Sequence, residues 1–406
     1  MPRPALEVAQ IFRQHGPEYR KNHRLSPEQH QAMRDIERCR TARLGGHVDS
    51  CSHGCGYLAI SYNSCRNRHC PKCQSLKQAK WLAARLERLL PTHYFHLVVT
   101  LPHELNPLAR CNPELVFNLL FAAVSRALLE FALGYERLRA QVGFTAVLHT
   151  WDQDLNFHPH LHLVVTGGGL SPEADRWIAA RNSFLLPVRA LSKSIRAKFM
   201  EGLKQAYQEG RLKGRVQGLE DPVQFQRFTR KLTRKKWVVY AKGSFGASQT
   251  AYHYLSRYTH RVAIANHRLV RLVEGKVSFR ARDNSRPGRQ RLVTATAPEF
   301  IRRFLLHILP PRFVKIRHFG LMAPCNAKTK LEKARALISL QKPLAHEEPK
   351  YQMLDTPSET KTWQEMLQAV TGMDLTTCPQ CGKGRLIRVK LMDRIAALSP
   401  AIWDSS

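Results

Sequence analysis

Polar and apolar positions along the chain change period several times, and each change marks an element. Ser26-Pro27-Glu28 opens a helix that carries Met33 and Ile36 inward, since a Ser cap with Pro in the first turn suits the unpaired N–H groups there. A second helix, rich in Lys, Arg and Ala, is expected over 75–90 and is closed by Pro91. The mostly apolar run from Tyr94 to Leu101 predicts a buried strand ended by Pro102. Leu115, Leu119, Ala122, Ala123 and Leu129 recur at helical spacing over 113–133, with Pro113 fitting the first turn. Two strands follow, 143–151 and 160–166, joined through the polar loop 152–156, and Gly167-Gly168-Gly169 reads as the turn ending the second. Residues 190–242 read as mainly helical and basic, and 248–258 as one further helix. The segments 269–273 and 276–280 form a hairpin around Glu274-Gly275, and 298–309 an amphipathic helix. The Pro-, Glu- and Thr-rich stretch 342–362 is a candidate linker, and there is no internal repeat.

A chain of 406 residues is long for one domain, and a division into 1–92, 93–325 and 326–406 is expected, the last boundary resting on the family resemblance given below. Hydrophobic residues at 43% exclude a disordered chain. No run approaches the roughly 18 apolar residues of a membrane span, and MPRPALEVAQIFRQHG lacks a signal-peptide core, so a cytoplasmic protein without a membrane partner is expected. Charge adds most. Lys and Arg number 64 against 31 Asp and Glu, a net charge of 64 − 31 = +33. A surface so basic calls for a polyanion, and nucleic acid is the first candidate.

The cysteines are clustered. Cys39, Cys51, Cys55, Cys65, Cys70 and Cys73 lie within 35 residues, Cys378 and Cys381 form a late pair, and Cys111 and Cys325 stand alone. Without an export signal, such pairs read as metal knuckles rather than disulfides. Cys51, Cys55, Cys70 and Cys73 form two knuckles separated by 14 residues, the arrangement a tetrahedral zinc ion takes, with Gly54 and Gly56 permitting the tight turn. Cys65, His53 and His69 are close enough to substitute, whereas Cys39 reads as a core residue. Arg66, Arg68 and Lys72 sit on the knuckle rim, where cations meet phosphates or bases. Cys378-Pro-Gln-Cys381-Gly382 looks like half a zinc ribbon whose other half is not visible.

The most informative segment is His158-Pro-His160-Leu-His162-Leu-Val-Val-Thr166. On a strand His160 and His162 share a face, about 7 Å apart by the strand rise, and can converge on one metal ion while Leu161 and Leu163 enter a core. Two unpaired buried imidazoles would otherwise be costly. If the two strands form an antiparallel hairpin, His149 faces the pair as third ligand, with Asp154 and His158 as rivals. Open coordination positions would serve a phosphate. Tyr254 and Tyr258, spaced i and i+4, share a helical face with Arg257 and Arg261 nearby. A tyrosine phenolate can attack a metal-polarised phosphodiester, leaving a 5′-phosphotyrosine and a free 3′-OH.

Taken together, His-hydrophobic-His followed by Tyr-x-x-x-Tyr resembles the HUH endonuclease superfamily in its two-tyrosine form. The cluster Ser64-Cys-Arg-Asn-Arg-His-Cys-Pro-Lys-Cys-Gln74, His158-Pro-His-Leu-His162 with Gly167-Gly-Gly169, and the stretch from Arg302-Arg-Phe304 to His318-Phe-Gly320 are similar to the rolling-circle transposases of insertion-sequence family 91. The resemblance runs from about residue 10 to about 325. It implies an α+β fold, a ferredoxin-like HUH core with an antiparallel sheet, preceded by a small zinc-binding domain and followed by a basic C-terminal region. It also implies cleavage and rejoining of single-stranded DNA at transposon ends and target sites with Mg²⁺ or Mn²⁺. His160 and His162 become metal ligands and Tyr254 and Tyr258 nucleophiles, while His149 rests on the hairpin argument. The alternatives are a plasmid rolling-circle initiator or relaxase, for which no built-in Gly-x-x-x-x-Gly-Lys-Ser/Thr helicase motif is present, and a non-enzymatic zinc DNA-binding protein.

Overall fold

The computed structural model describes residues 6–73, 75–181, 185–213, 218–243, 262–283, 286, 288–341, 374 and 376–394. In chain order the elements are α1 (Val8–Asn22), α2 (Pro27–Arg38), β1 (Gly46–Cys51), β2 (Leu58–Tyr62), α3 (Ser75–Leu86), β3 (Tyr94–Thr100), α4 (Asn106–Cys111), α5 (Pro113–Gly134), β4 (Gln141–Trp151), β5 (Phe157–Leu170) and β6 (Trp177–Ala179). They continue with α6 (Val188–Gln208), α7 (Pro222–Arg234), β7 (Val238–Lys242), β8 (Leu269–Val273), β9 (Lys276–Arg282), β10 (Gln290–Thr296), α8 (Ala297–Leu305), β11 (Ile316–Gly320), α9 (Lys330–Leu340) and β12 (Leu386–Met392). Helices and antiparallel sheets are mixed, as an α+β reading requires.

Two compact units result, and neither is contiguous. One contains α1, α2, β1, β2, β8–β10, α8 and β12. Ser26 caps α2 and closes a capping box with Gln29, as the Ser-Pro start predicts. The apolar faces of α1 and α2 meet α8: Phe12 packs edge-on against Phe304 at 5.2 Å, and Gln29 Nε2 donates to the Leu305 carbonyl. Val8 N–H donates to Asn266 Oδ1, tying α1 to the turn before β8. Segments 1–92, 93–325 and 326–406 therefore do not coincide with the units, because the faces that α1 and α2 must bury are met by residues 266–305. The expected 269–280 hairpin is present, with Glu274 (φ 48°) and Gly275 (φ 68°) forming a two-residue turn.

The other unit is built on a six-stranded antiparallel sheet of order β11-β4-β5-β3-β7, with β6 paired to β5. Alternation sorts its side chains strictly. Phe95, Leu97, Val99, Phe144, Ala146, Leu148, Leu161, Leu163 and Val165 all enter one core with α5 and α6. α5 has the length and hydropathy of a membrane span, but Val116, Phe117, Leu120, Phe121, Val124 and Leu128 are spent on that core. Two local expectations change. The segment 238–242, read as part of a helical region, is a strand, because Val-Val-Tyr-Ala-Lys alternates and extends the sheet beside β3. Gly167-Gly168-Gly169 does not end β5 but lies inside it. A side chain at Gly167 would strike His93, and at Gly169 the backbone of Gln141, so these glycines allow close backbone approach rather than a turn.

Candidate metal centres

β4 and β5 pair antiparallel, with His149 directly opposite His160 and Val147 opposite His162. The hairpin that brings His149 to the His-x-His pair is therefore formed, and a nitrogen from each of His149, His160 and His162 lies within 4.8 Å of the others. Ring centroids are 5.5 Å apart for His149–His160, 4.7 Å for His149–His162 and 4.9 Å for His160–His162. Among the described residues neither rival joins this group. Asp154 is held in the loop by its N–H to Asp152 Oδ1, and His158 contributes its carbonyl, 2.7 Å from His160 Nδ1.

The hydrogen bonds define which nitrogens are free. His160 Nδ1 donates to that carbonyl, leaving the Nε2 lone pair exposed to the cluster. His162 Nδ1 lies 2.9 Å from His96 Nε2 on β3, so its Nε2 also faces the cluster, 3.2 Å from His160 Nε2. Two lone pairs so close repel unless a cation or proton lies between them. Metal–nitrogen bonds of about 2.1 Å at right angles place adjacent ligands about 3 Å apart, so the spacing fits a shared ion. Burial, chiefly, pushes both His160 and His96 down to about 4, which keeps both imidazoles neutral and His160 in the form that can ligate. His96, buried among Tyr94, Phe95 and Leu97, joins this cluster through His162 and was missed by sequence reasoning; a lone histidine on an apolar strand carries no spacing signal.

The histidine face of the sheet is the one without the helical core. Register puts Val98 opposite His162 and Tyr240 opposite Val98, so Tyr240 and Lys242 share this face and are exposed. Arg227, Arg230, Lys231 and Arg234 of α7 add exposed positive charge within the same unit. Tyr254, Tyr258, Arg257 and Arg261 lie outside the described residues.

Eight of the ten cysteines sort into two groups of four, and neither group is the expected one. Cys51 and Cys55 meet Cys378 and Cys381, whereas Cys70 and Cys73 meet Cys39 and Cys65. The quartet Cys51, Cys55, Cys70 and Cys73 is thus corrected. The reason is local: Cys51 and Cys55 ride the tip of the β1–β2 hairpin, while the loop 63–73 folds back on the end of α2. Arg40 N–H donates to the Asn63 carbonyl, Asn67 Nδ2 to Asp35 Oδ2, and Arg40 Nη2 to the Lys72 carbonyl, fixing that loop beside Cys39. Sγ–Sγ separations of 3.2 Å (Cys39–Cys73) and 3.6 Å (Cys65–Cys73) approach the edge of about 3.8 Å that zinc–sulfur bonds of about 2.3 Å imply. Cys39 is buried, as a core residue would be, yet it is a member of the cluster. His53 and His69 belong to neither group. Of the rim cations, Arg66 is exposed, burial lowers the pKa of Arg68, and Lys72 is paired with Glu7 at 2.5 Å.

Comparison with known proteins agrees with this architecture. Residues 11–101 match the family model described as "Transposase zinc-binding domain", and residues 143–330 match Y2_Tnp, described as "Putative transposase". The chain is 43% identical to "Putative transposase y4qJ" of Sinorhizobium fredii over the whole of both chains. It is 26% identical to "Transposase for insertion sequence element IS801" of Pseudomonas savastanoi pv. phaseolicola, covering 86% of this chain and 83% of that one. No solved structure matches.

Proposed function

The chain belongs to the insertion-sequence 91 family of transposases, with the zinc-binding domain at its N-terminus, and on that premise we propose that it nicks and rejoins single-stranded DNA at transposon ends through 5′-phosphotyrosine intermediates, in rolling-circle transposition. The observation that carries this reading is the cross-strand triad His149, His160 and His162 on the sheet face opposite the helical core. We read the six-stranded sheet as the HUH core on the same ground. A cytoplasmic protein that meets the bacterial nucleoid, with target DNA as second substrate, follows from the reading.

The three imidazoles would hold the divalent cation. An all-nitrogen set is poorly matched to Mg²⁺, which prefers oxygen, and better matched to Mn²⁺. When bound, that ion supplies Lewis-acid polarisation of the scissile phosphate. Everything else falls to the chain. Tyr254 or Tyr258 attacks phosphorus through its phenolic oxygen; the bond to the 3′ oxygen breaks, that oxygen takes up a proton, and the 5′ phosphate stays esterified to the tyrosine. In rejoining, a 3′-OH attacks the phosphotyrosine and the phenol oxygen leaves. Arg257 and Arg261, one and two turns along the expected helix, favour the phenolate and phosphate charge. Exposed Tyr240 offers a stacking surface for an unpaired base, and Lys242 and α7 offer charge for its backbone.

The direct test incubates the full chain with single-stranded oligonucleotides carrying the element's ends. A covalent protein–DNA adduct with a free 3′-OH on the released strand is expected in Mn²⁺. Tight binding with no adduct under any divalent metal would instead favour a non-enzymatic zinc DNA-binding protein, whereas absence of inverted ends flanking the gene would favour a plasmid rolling-circle initiator or relaxase.

His96 acts on the site through His162. With His162 Nε2 as the ligating atom its Nδ1 carries the proton, and His96 Nε2, 2.9 Å away, would accept it and so fix the ring. His96→Ala should weaken Mn²⁺ binding about 10–100-fold, the usual cost of losing such a partner. Cleavage should recover at high Mn²⁺, and His96→Gln, which can still accept, should restore part of the affinity. An unchanged Mn²⁺ titration of His96→Ala would remove this role.

A further inference from the structure

The family matches cover residues 11–101 and 143–330, yet Cys378 and Cys381, beyond both, complete a well-formed cluster with Cys51 and Cys55. We propose that Cys51, Cys55, Cys378 and Cys381 bind a second structural zinc ion, which fastens the C-terminal segment to the β1–β2 hairpin of the N-terminal segment. The site is assembled from two knuckles more than 300 residues apart, the very half that the late Cys-Pro-Gln-Cys-Gly motif lacks when read in isolation.

Geometry supports zinc over chance proximity. All four Sγ atoms lie within 4.8 Å of one another, with Cys51–Cys381 at 3.6 Å and Cys55–Cys378 at 3.7 Å, against an edge of about 3.8 Å in a zinc tetrathiolate. A disulfide would need about 2.05 Å. The backbone is arranged for thiolates: His53 N–H points to Cys51 Sγ and Gly384 N–H to Cys381 Sγ, both at 3.4 Å. Gly382, at φ 66°, makes the turn after Cys381, and any side chain at Gly384 would run into Cys51 Sγ and His53.

The surrounding pairing is extensive. β12 runs antiparallel to β1 from Gly46 opposite Met392 to Cys51 opposite Leu386. Ser52 N–H donates to the Arg385 carbonyl, Arg385 N–H donates to Ser52 Oγ, and Gln380 Nε2 reaches the Cys55 carbonyl. Apolar burial is meagre by contrast. Leu58, Ile60, Ile387, Val389 and Leu391 of this three-stranded sheet are 53–72% exposed, so the hydrophobic contribution that usually holds so small a sheet is largely absent. A metal ion supplies what the missing core does not.

The test is zinc content of the full-length protein purified without added metal chelator. Two zinc ions per chain are expected, falling to one in Cys378→Ser/Cys381→Ser and to one in Cys65→Ser/Cys73→Ser. Should the variants fail to fold, the unaltered protein serves: alkylation mapped by mass spectrometry should spare Cys378 and Cys381 until a chelator removes zinc, then modify them. Zinc content unchanged by Cys378→Ser/Cys381→Ser, alkylation of these two thiols at one rate with and without zinc, or isolation of a Cys51–Cys381 disulfide would each overturn the assignment. None of these readouts depends on DNA cleavage, so the transposition reading can fail while this one stands.

Discussion

His160→Ala and His162→Ala should each abolish strand cleavage while leaving DNA affinity nearly unchanged. Affinity for a polyanion comes from Lys and Arg contacts with phosphates, and neither substitution alters the +33 charge. On the proposed mechanism cleavage draws on Lewis-acid stabilisation of several kcal/mol, and at about 1.4 kcal/mol per factor of ten its loss should lower the rate on the order of a hundredfold or more. The Nε2 atoms of the two lie 3.2 Å apart in a group of three, so removing either leaves only two imidazoles for an ion. His149→Ala should follow the same pattern, since Asp154 does not lie in the ligand group that could replace it. Oligonucleotide nicking measured beside filter binding separates the two properties; equal nicking by His162→Ala and the unaltered chain in Mn²⁺ would remove the triad from the mechanism.

The second large effect concerns the tyrosines. Tyr254→Phe and Tyr258→Phe should each retain some single-strand nicking and lose complete transposition, while the double variant should lose both. Strand transfer needs two cleavages. On the helix expected from the sequence, i and i+4 spacing would put the two tyrosines about 6 Å apart at the backbone. One can then hold a 5′ end while the other attacks the next phosphodiester. A single nucleophile would need a second subunit or release of the first intermediate. Mass spectrometry of trapped adducts tells these apart: DNA found on only one of the two tyrosines, with no adduct in the variant that keeps only the other, would refute a shared role.

Sequence pattern reaches the strands and helices wherever burial follows a simple period. The hydrophobic face of β5, Leu161-x-Leu163-x-Val165, is visible in the chain because strand alternation is a local property, and the same alternation puts His160 and His162 together. His149 could be named because hairpin pairing of neighbouring strands is the commonest antiparallel connection, and a polar loop joined the two runs. The 238–242 strand was hidden by the basic helices before it, and the three glycines of β5 looked like a turn because composition does not show that another backbone lies against them.

What the chain determined alone was therefore the residue types and local faces: the histidine strand, the paired tyrosines, the positive charge, and two kinds of cysteine knuckle. Which knuckles lie together was decided only in three dimensions. Cys51 and Cys55 are sequence neighbours of Cys70 and Cys73, yet the hairpin tip carries them to Cys378 and Cys381, and the return of loop 63–73 to α2 gives Cys70 and Cys73 to Cys39 and Cys65. His96 likewise became part of the site only when β3 paired with β5 and set its ring against His162. Spacing along a chain measures closeness only within one element; between elements, strand pairing and buried faces set the distances, and those depend on residues far from the motif.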